Sequence, residues 1–243
     1  MTAIALVPAL NEGGRIGLTV KALRSLPSIS GVVVVDDGSS DGTATEARAA
    51  GACCLSLPRN VGKGDALNAG VGFVRQRIVD GLAGVPDTLL LADGDLGSSA
   101  VELRRLLDAV GDGGADMAVA DLPPQQGAAG FGLAKGLASA GLQHFTGRAM
   151  REPLSGQRAV RWVALPAIVP FAPNFGVEVA MTLGAYAAGL EVVEVEVPLT
   201  HAATGRDLTG ILHRANQARS ITVELIAHAR KRTRLRRARS QAM

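Results

Sequence analysis

Five short apolar runs, each followed by a stretch of helical character, fill the first half of the chain. They read AIALVPA, GVVVVDDG, ACCLSLP, TLLLADGD and ADMAVAD. The runs lack the polar alternation of half-exposed strands, which is typical of strands that helices cover on both faces. The first intervening helix is predicted from about Arg15 to Leu26 and the third over residues 62–81. The alternation predicts an α/β protein with a doubly wound, mostly parallel sheet flanked by helices.

The second half is less regular. Residues 123–150 are rich in Gly and Ala and predict a loop followed by a loosely packed helix. A helix over GVEVAMTLGAYAAG, an alternating strand LEVVEVEVPL and a long C-terminal helix from about Asp207 are expected after it. We therefore expect one domain over residues 1–229 and a basic tail over residues 230–243.

Composition and charge exclude several classes of protein. Aromatic residues make up 3% of the chain, which argues against a nucleic-acid platform built on base stacking. The formal net charge of +3 comes from the tail, which has seven Lys and Arg and no acid from Arg230 onward. No apolar run approaches the roughly 18 residues of a membrane-spanning helix, and the N-terminus lacks the basic region of a signal peptide. We expect a cytoplasmic protein with no nucleic-acid partner.

Polar clusters follow four of the predicted strands. In open α/β sheets, ligands bind outside the carboxyl ends of the strands. The clusters are Pro8–Glu12, Asp36–Ser39, residues 58–66 and Asp93–Asp95, after the first to the fourth strand in turn. The sequence therefore predicts one site at one edge of the sheet.

Asp93, Gly94 and Asp95 follow four consecutive apolar residues, Leu89 to Ala92. Residues i and i+2 of an extended segment point the same way, so the two carboxylates would offer hard oxygen ligands to Mg²⁺ or Mn²⁺. Gly94 would leave the backbone open to a bulky ligand. The alternative is an ordinary turn that caps the next helix, since Asp-Gly is a turn dipeptide.

Two other strand ends carry groups suited to a nucleotide. Asp37 would accept hydrogen bonds from a base or a ribose hydroxyl, whereas Asp41 has the position of a helix cap. Lys63, with glycine on both sides, would approach a diphosphate at a helix N-terminus; a solvated lysine in a Gly turn is the alternative. No G-x-G-x-x-G follows the first strand and no P-loop motif occurs, which argues against a dinucleotide oxidoreductase and a P-loop kinase.

Four segments within residues 3 to about 100 together resemble the nucleotide-sugar-binding half of family 2 glycosyltransferases. They are VPALNEGGRI, VVVVDDGSSDGT, RNVGKGDALNAG and LLLADGD. The resemblance implies a GT-A type nucleotide-diphospho-sugar transferase fold, with a donor half over residues 1–122 and an acceptor half over residues 123–229. It implies a UDP-glucose or GDP-mannose class donor and a divalent cation, Mg²⁺ or Mn²⁺. The donor-binding residues implied are Pro8, Ala9, Glu12, Val35, Asp37, Lys63, Asp93, Gly94 and Asp95.

The second half resembles two groups of enzymes with this fold. EPLSGQRAV is similar to a segment of dolichol- and polyprenyl-phosphate sugar synthases, and residues 174–207 are similar both to these and to glucosyl-3-phosphoglycerate synthases. In the latter a His after the last strand joins the metal shell, which implies a metal site of Asp93, Asp95 and His201. A surface imidazole is the alternative for His201. Arg206, in a basic loop that would close over the diphosphate, completes the implied catalytic set with these three residues.

The acceptor side departs from a common pattern. Many inverting members with sugar-hydroxyl acceptors have a Glu-Asp pair that supplies a base, and here Glu152 and Glu178 stand outside that context. A phosphate acceptor would need no base, because it is already nucleophilic at neutral pH. The implied acceptor-binding residues are Arg148, Ser155, Gln157 and Arg158, with structural ion pairing as the alternative for the arginines.

The main functional hypothesis is a metal-dependent glycosyltransferase that moves a hexose to a polyprenyl phosphate. The basic tail favours it, because clustered Lys and Arg bind anionic membranes by about 1 kcal/mol per charge; a disordered, solubilising end is the alternative. A soluble enzyme acting on 3-phosphoglycerate or a similar small acid is the second hypothesis, and a sugar-nucleotide-binding module without turnover is the third. Peripheral contact with the cytoplasmic membrane face and a homodimer are further expectations.

Overall fold

The computed structural model of the protein describes residues 1–122, 131–173, 176–199, 222–223 and 225–226, with only the backbone described for 131–133. The predictions for His201, Arg206, the C-terminal helix from Asp207 and the basic tail therefore lie outside the described residues, apart from four helical positions within 222–226. Among the helices that are described, none is long and apolar enough to cross a membrane.

The first half follows the predicted order of strands and helices, and the second half adds a strand that the sequence did not predict. The strands are β1 (Ala3–Ala9), β2 (Ile29–Asp36), β3 (Cys53–Ser56), β4 (Thr88–Leu91), β5 (Met117–Asp121), β6 (Arg158–Arg161) and β7 (Val192–Glu196). The α-helices are α1 (Ile16–Arg24), α2 (Thr43–Ala49), α3 (Lys63–Val79), α4 (Arg104–Gly111), α5 (Phe131–Thr146) and α6 (Val177–Ala187). Short 3₁₀ helices span Gly97–Leu103 and Trp162–Ala167.

The seven strands form one sheet in the order β3-β2-β1-β4-β6-β5-β7. β1 pairs in parallel with both β2 and β4, β2 with β3, and β5 with β7. Among the strands of the described residues, only β6 runs antiparallel to its neighbours, β4 and β5. The prediction of a doubly wound, mostly parallel sheet is confirmed.

Both faces of the sheet are buried in separate apolar cores. In β1, Ile4 and Leu6 point into the core that contains residues of α3, α5 and α6. Ala5 and Val7 point into the other core, which contains residues of α1 and α4. Burial on both faces is why the strands read as continuous apolar runs, and it leaves the carboxyl edge of the sheet as the place for polar groups.

Candidate functional site

The carboxyl ends of β1, β2, β3 and β4 lie side by side. Ala9 is in register with Asp36, and Asp36 with Ser56, so the segments that follow these strands emerge at the same edge. The backbone oxygen of Ala9 accepts a hydrogen bond of 2.9 Å from the N–H of Asp37. The buried Ala9 and the half-buried Pro8 thus stand at this edge, as the sequence predicts.

The loop after β1 is fixed by the segment after β2. The backbone N–H groups of residues 11–14 donate to four side chains, namely Ser39 Oγ (2.9 Å), Thr43 Oγ1 (2.8 Å), Asp41 Oδ2 (3.0 Å) and Glu46 Oε2 (2.7 Å). Asn11 has a left-handed φ of 55°, which aims the turn at these partners. Asp41 also accepts hydrogen bonds from the Thr43 hydroxyl and backbone N–H, and these bonds lower its pKa. Asp41 therefore links the loop after β1 to the loop before α2, and it also binds the first residue of α2, Thr43.

Asp37 is buried and holds the loop that precedes α3. Its Oδ1 accepts a hydrogen bond of 2.7 Å from the N–H of Val61, and its Oδ2 accepts one of 2.9 Å from the N–H of Gly62. Each carboxylate oxygen can accept a second hydrogen bond, so contact between Asp37 and a nucleoside stays a prediction. The two hydrogen bonds that the structure describes hold residues 61 and 62, and this loop positions Lys63 at the start of α3.

Lys63, the first residue of α3, lies between two carboxylates. Its Nζ is 2.9 Å from Asp93 Oδ1, after β4, and 3.0 Å from Glu178 Oε1, in α6. Burial alone would lower the pKa of Lys63, but the charges of Asp93 and Glu178 together outweigh it and raise the pKa above its usual value. Lys63 is thus a permanent cation at the carboxyl edge, and not a solvated lysine in a Gly turn.

The start of α3 is held in place by the segment before α6. The Asn68 side chain accepts a hydrogen bond of 2.8 Å from the N–H of Phe171 and donates one of 2.9 Å to its carbonyl. At Gly64, an added Cβ would lie 1.9 Å from the carbonyl oxygen of Ala172. Only glycine allows this close approach of two backbones, which brings Lys63 to α6 and Glu178.

The turn of residues 155–157 packs directly on Asp93 and Lys63. Gln157 Nε2 donates a hydrogen bond of 2.9 Å to Asp93 Oδ2. A Cβ added at Gly156 would lie 2.5 Å from Lys63 Nζ and 3.1 Å from both carboxylate oxygens of Asp93. The turn of residues 155–157 therefore lies against Asp93 and Lys63, and acceptor binding by Ser155 and Gln157 stays a prediction.

Two polar atoms of this turn are buried and find no partner among the described residues. Ser155 is 3% exposed and Gln157 is 1% exposed, and in that part of the chain neither Ser155 Oγ nor Gln157 Oε1 has a hydrogen-bonding partner. Leaving a buried polar atom unpaired costs about 1–3 kcal/mol, and such atoms in native structures call for an explanation. A ligand or an ordered water that completes them is the natural one.

Gly94 packs closely against the loop after β1. An added Cβ would lie 3.3 Å from atoms of Ala9, Glu12 and Ile16, and the Gly94 carbonyl accepts a hydrogen bond of 2.8 Å from Thr19. The absence of a side chain lets this segment approach that loop, and contact between Gly94 and a donor stays a prediction.

Three acidic side chains influence one another at this edge. Partial burial raises the pKa of Glu12, an ion pair of 3.1 Å with Arg15 opposes the rise, and the charges of Asp95 and Asp93 add to it. The predicted donor-binding residues Glu12, Asp93 and Asp95 are thus electrostatically coupled. Their negative charge would attract a cation.

Three predicted site residues lie elsewhere. Val35 is fully buried in the apolar core beside α3, so its side chain cannot contact a donor.

Arg158 is 0% exposed, and its guanidinium donates to Ser155 O, Thr182 Oγ1 and Pro153 O. Arg148 stacks on the Tyr186 ring at 5.5 Å, roughly 12 Å along α6 from Glu178 at a rise of 1.5 Å per residue. Binding of an acceptor by Arg148 or Arg158 stays a prediction.

The described residues include two of the three predicted metal ligands. Asp93 and Asp95 supply the hard oxygen atoms that Mg²⁺ and Mn²⁺ prefer. Within the described ranges, no three His, Cys, Asp or Glu side chains are arranged to hold a metal ion. His201, the predicted third ligand, lies outside them.

Glu178 is the site residue that the sequence did not identify as part of this cluster. The signal that could have found it is a single acid in the otherwise apolar helix GVEVAM. Acidic residues are almost never fully buried unless they are paired. A Glu at that position therefore indicates a buried ion pair, although the sequence does not name Lys63 as the partner.

Comparison with known families identifies the chain's relatives. A family model described as Glycosyl transferase family 2 matches residues 4–149, well over half of the chain. A search of curated protein sequences finds no match.

Solved structures of similar fold belong to glucosyl-3-phosphoglycerate synthase from Mycobacterium tuberculosis. A complex with phosphoglyceric acid and one with Mn²⁺, UDP-glucose and phosphoglyceric acid each have a TM-score of 0.74 and 24% identity. A third, with Mg²⁺ and UDP, has a TM-score of 0.74 and 25% identity. Each match covers 93% of this chain and 79% of the other. The likeness confirms the predicted GT-A type fold.

Proposed function

Since the chain belongs to glycosyl transferase family 2 and is therefore a glycosyltransferase, we propose that it transfers glucose from UDP-glucose to a small phosphorylated acid such as 3-phosphoglycerate. The observation that carries the proposal is the contact between the two halves of the site. The turn of residues 155–157, from the acceptor half, lies against Asp93 and Lys63, from the donor half. A donor and a small acceptor bound there would lie next to each other, and the acceptor would not need to be in a membrane.

The fold comparison supports this choice of substrates. The synthase that this chain resembles over 93% of its length has been crystallised with UDP-glucose and phosphoglyceric acid. The likeness extends beyond the family match into the second half, where the acceptor would bind. The polyprenyl-phosphate acceptor, our main hypothesis from the sequence, has no support of this kind, and the small-acid alternative fits better.

A divalent cation, Mg²⁺ or Mn²⁺, is part of the proposal. Bound to the donor's diphosphate, such an ion would neutralise the charge that develops on the leaving group. Asp95 and Asp93 would hold it, with His201 as the further ligand that the resemblance implies. The synthase structures with Mn²⁺ and with Mg²⁺ support a cation of this class.

The chain's own residues would orient the reactants. Lys63 presents a fixed positive charge beside Asp93, suited to the diphosphate as it leaves. Ser155 Oγ and Gln157 Oε1 are buried, so they would reach hydroxyl groups of the ligands through an ordered water or after a shift of the turn. The acceptor hydroxyl oxygen attacks the anomeric carbon, the bond from that carbon to the diphosphate oxygen breaks, and the hydroxyl proton leaves with the diphosphate.

Several expectations from the sequence stay predictions. These are the division into a donor half over residues 1–122 and an acceptor half over 123–229, the roles of His201 and Arg206, a cytoplasmic location, peripheral membrane contact through the tail, and a homodimer.

Acceptor specificity is the direct test of the proposal. The protein would be incubated with UDP-glucose and Mn²⁺, and UDP release measured with 3-phosphoglycerate, with glycerate, and with a polyprenyl phosphate in anionic vesicles. We expect release above the acceptor-free rate with 3-phosphoglycerate, and much less with glycerate, which lacks the phosphate. Faster release with the polyprenyl phosphate would favour the polyprenyl-phosphate hypothesis. Failure to release a nucleoside diphosphate with any donor and any acceptor would favour a binding module.

A further inference from the structure

Glu194 lies on the edge strand β7 and reaches the segment that leads into the site. Its Oε1 accepts hydrogen bonds of 2.8 Å from the backbone N–H of Arg151 and of 2.8 Å from that of Glu152. Its Oε2 lies 3.0 Å from the same Arg151 N–H. One carboxylate thus binds two consecutive backbone donors, an arrangement that fixes the orientation of a peptide segment more firmly than a single bond does.

The segment that Glu194 binds continues into the turn of residues 155–157. The N–H of Ser155 donates to the carbonyl of Glu152 at 3.2 Å, which closes a turn. Arg158 then holds two carbonyls of this turn from inside, and Gln157 ends it on Asp93. Residues 151–157 are therefore attached at the start by Glu194, in the middle by Arg158 and at the end by Asp93.

The other side-chain contacts of the first two residues are ion pairs. Arg151 Nη2 lies 2.9 Å from Asp121 Oδ2, but the Arg151 side chain is 70% exposed. The side chain of Glu152, 19% exposed, pairs with that of Lys135, 40% exposed. Partly exposed ion pairs between side chains contribute little to holding a segment, whereas the hydrogen bonds to Glu194 hold the backbone itself. Among these contacts, Glu194 is the one best able to hold the start of the turn.

We infer that Glu194 is a positioning residue of the acceptor side. It touches neither reactant. It holds residues 151 and 152 so that Ser155, Gly156 and Gln157 stay against Asp93 and Lys63, ready to bind the acceptor. The inference rests on the proposed function for the identity of the acceptor, but the fixing of the segment can be tested without one.

The first test is hydrogen exchange on the ligand-free protein, comparing the wild type with Glu194→Gln. The matched control is Glu196→Gln, two residues further along the same strand, where the side chain is exposed and Arg105 binds the backbone carbonyl. We expect faster exchange in the peptide containing residues 151–157 for Glu194→Gln only. Unchanged exchange in that variant would overturn the inference whatever the enzyme's substrate is.

The second test is steady-state kinetics with UDP-glucose and 3-phosphoglycerate. Loss of a charge-assisted hydrogen bond predicts that KM for 3-phosphoglycerate rises on the order of tenfold in Glu194→Gln. The affinity for UDP, measured by thermal shift with Mn²⁺, should stay at the wild-type value. Equal losses for donor and acceptor would contradict a role on the acceptor side. A wild type inactive with 3-phosphoglycerate would refute the proposed acceptor and leave the exchange result to decide the role of Glu194.

Discussion

Lys63 and the two acids beside it come from three separate parts of the chain. Asp93 follows β4, Lys63 begins α3, and Glu178 lies in α6. The sequence places Asp93 and Lys63 at strand ends, so the carboxyl-edge rule could predict that they lie close together. It could not predict the pair with Glu178, because that contact depends on how the segment before α6 packs on α3.

Arg158 shows where a residue-level resemblance is insufficient. An arginine after Ser-Gly-Gln in a segment similar to polyprenyl-phosphate sugar synthases suggests phosphate binding. The structure buries it completely and uses its guanidinium to hold backbone carbonyls and Thr182. No sequence pattern distinguishes these two uses, because both need the same planar set of donors.

Replacement of Ser155 separates binding from stability. Ser155→Ala removes a buried hydroxyl that has no partner in the described part of the chain, so we expect the ligand-free protein to unfold at the same or a higher temperature, with a gain of up to about 1 kcal/mol. The same change should raise KM for the acceptor, because the hydroxyl is then missing from the complex. Both quantities can be measured on one preparation, by thermal unfolding and by UDP release.

Ser139→Ala is the control for this comparison. Its hydroxyl donates a hydrogen bond of 3.1 Å to the carbonyl of Met150, so we expect its loss to destabilise the protein by about 0.5–1.5 kcal/mol. A Ser155→Ala variant that is destabilised as much as Ser139→Ala would show that the hydroxyl of Ser155 is already paired within the folded protein.

At the scale of elements, the sequence predicted the first half well and the second half less well. Strands buried on both faces leave unmistakable apolar runs, and β1 lies over the predicted residues. The predicted helix after β4 begins instead as the 3₁₀ helix Gly97–Leu103. There Ser99 Oγ donates to the carbonyl of Leu96, a local bond of the kind that competes with regular helix.

β6 is the strand that sequence patterns could not reveal. It is four residues long, reads RAVR and begins with the buried Arg158, so it shows neither an apolar run nor regular alternation. Its extended form comes from pairing with β4 on one side and β5 on the other. Tertiary context of this kind overrides local preference in strands.

Helix α3 gives a prediction that belongs to an element. In Gly64→Ala, the new methyl group would approach the backbone of Ala172 to 1.9 Å, so either α3 or residues 171–173 must move. We expect a loss of several kcal/mol, as overpacking against backbone is costly, and a fall in activity, because Lys63 precedes this position. Chemical denaturation measures the first effect and UDP release the second.

Gly72→Ala in the same helix is the matched control. An added Cβ there meets nothing within 4 Å, so the substitution should stabilise the protein by roughly 0.5–1 kcal/mol through helix propensity alone. Its activity should equal that of the wild type. If Gly64→Ala were as stable as Gly72→Ala, the close approach of α3 to residues 171–173 would be wrong.

At the scale of the whole molecule, the site combines residues inside the range that the family model matches with residues outside that range. The match ends at residue 149, whereas Gln157 and Glu178 lie beyond it and contact Asp93 and Lys63. The donor side could therefore be predicted from motifs. The acceptor side depends on packing across the sheet, which sequence motifs do not reveal.

Asp95→Asn tests whether the carboxyl edge of this sheet transfers glucose from UDP-glucose to 3-phosphoglycerate. Product would be identified by mass spectrometry in the presence of Mn²⁺, with the exposed Asp112→Asn as the control. We predict that the wild type and Asp112→Asn form an acceptor bearing one added hexose. Asp95→Asn should form it at least about a hundredfold more slowly with an unchanged unfolding temperature. Product formation by Asp95→Asn at the wild-type rate would show that the reaction does not depend on this edge of the sheet.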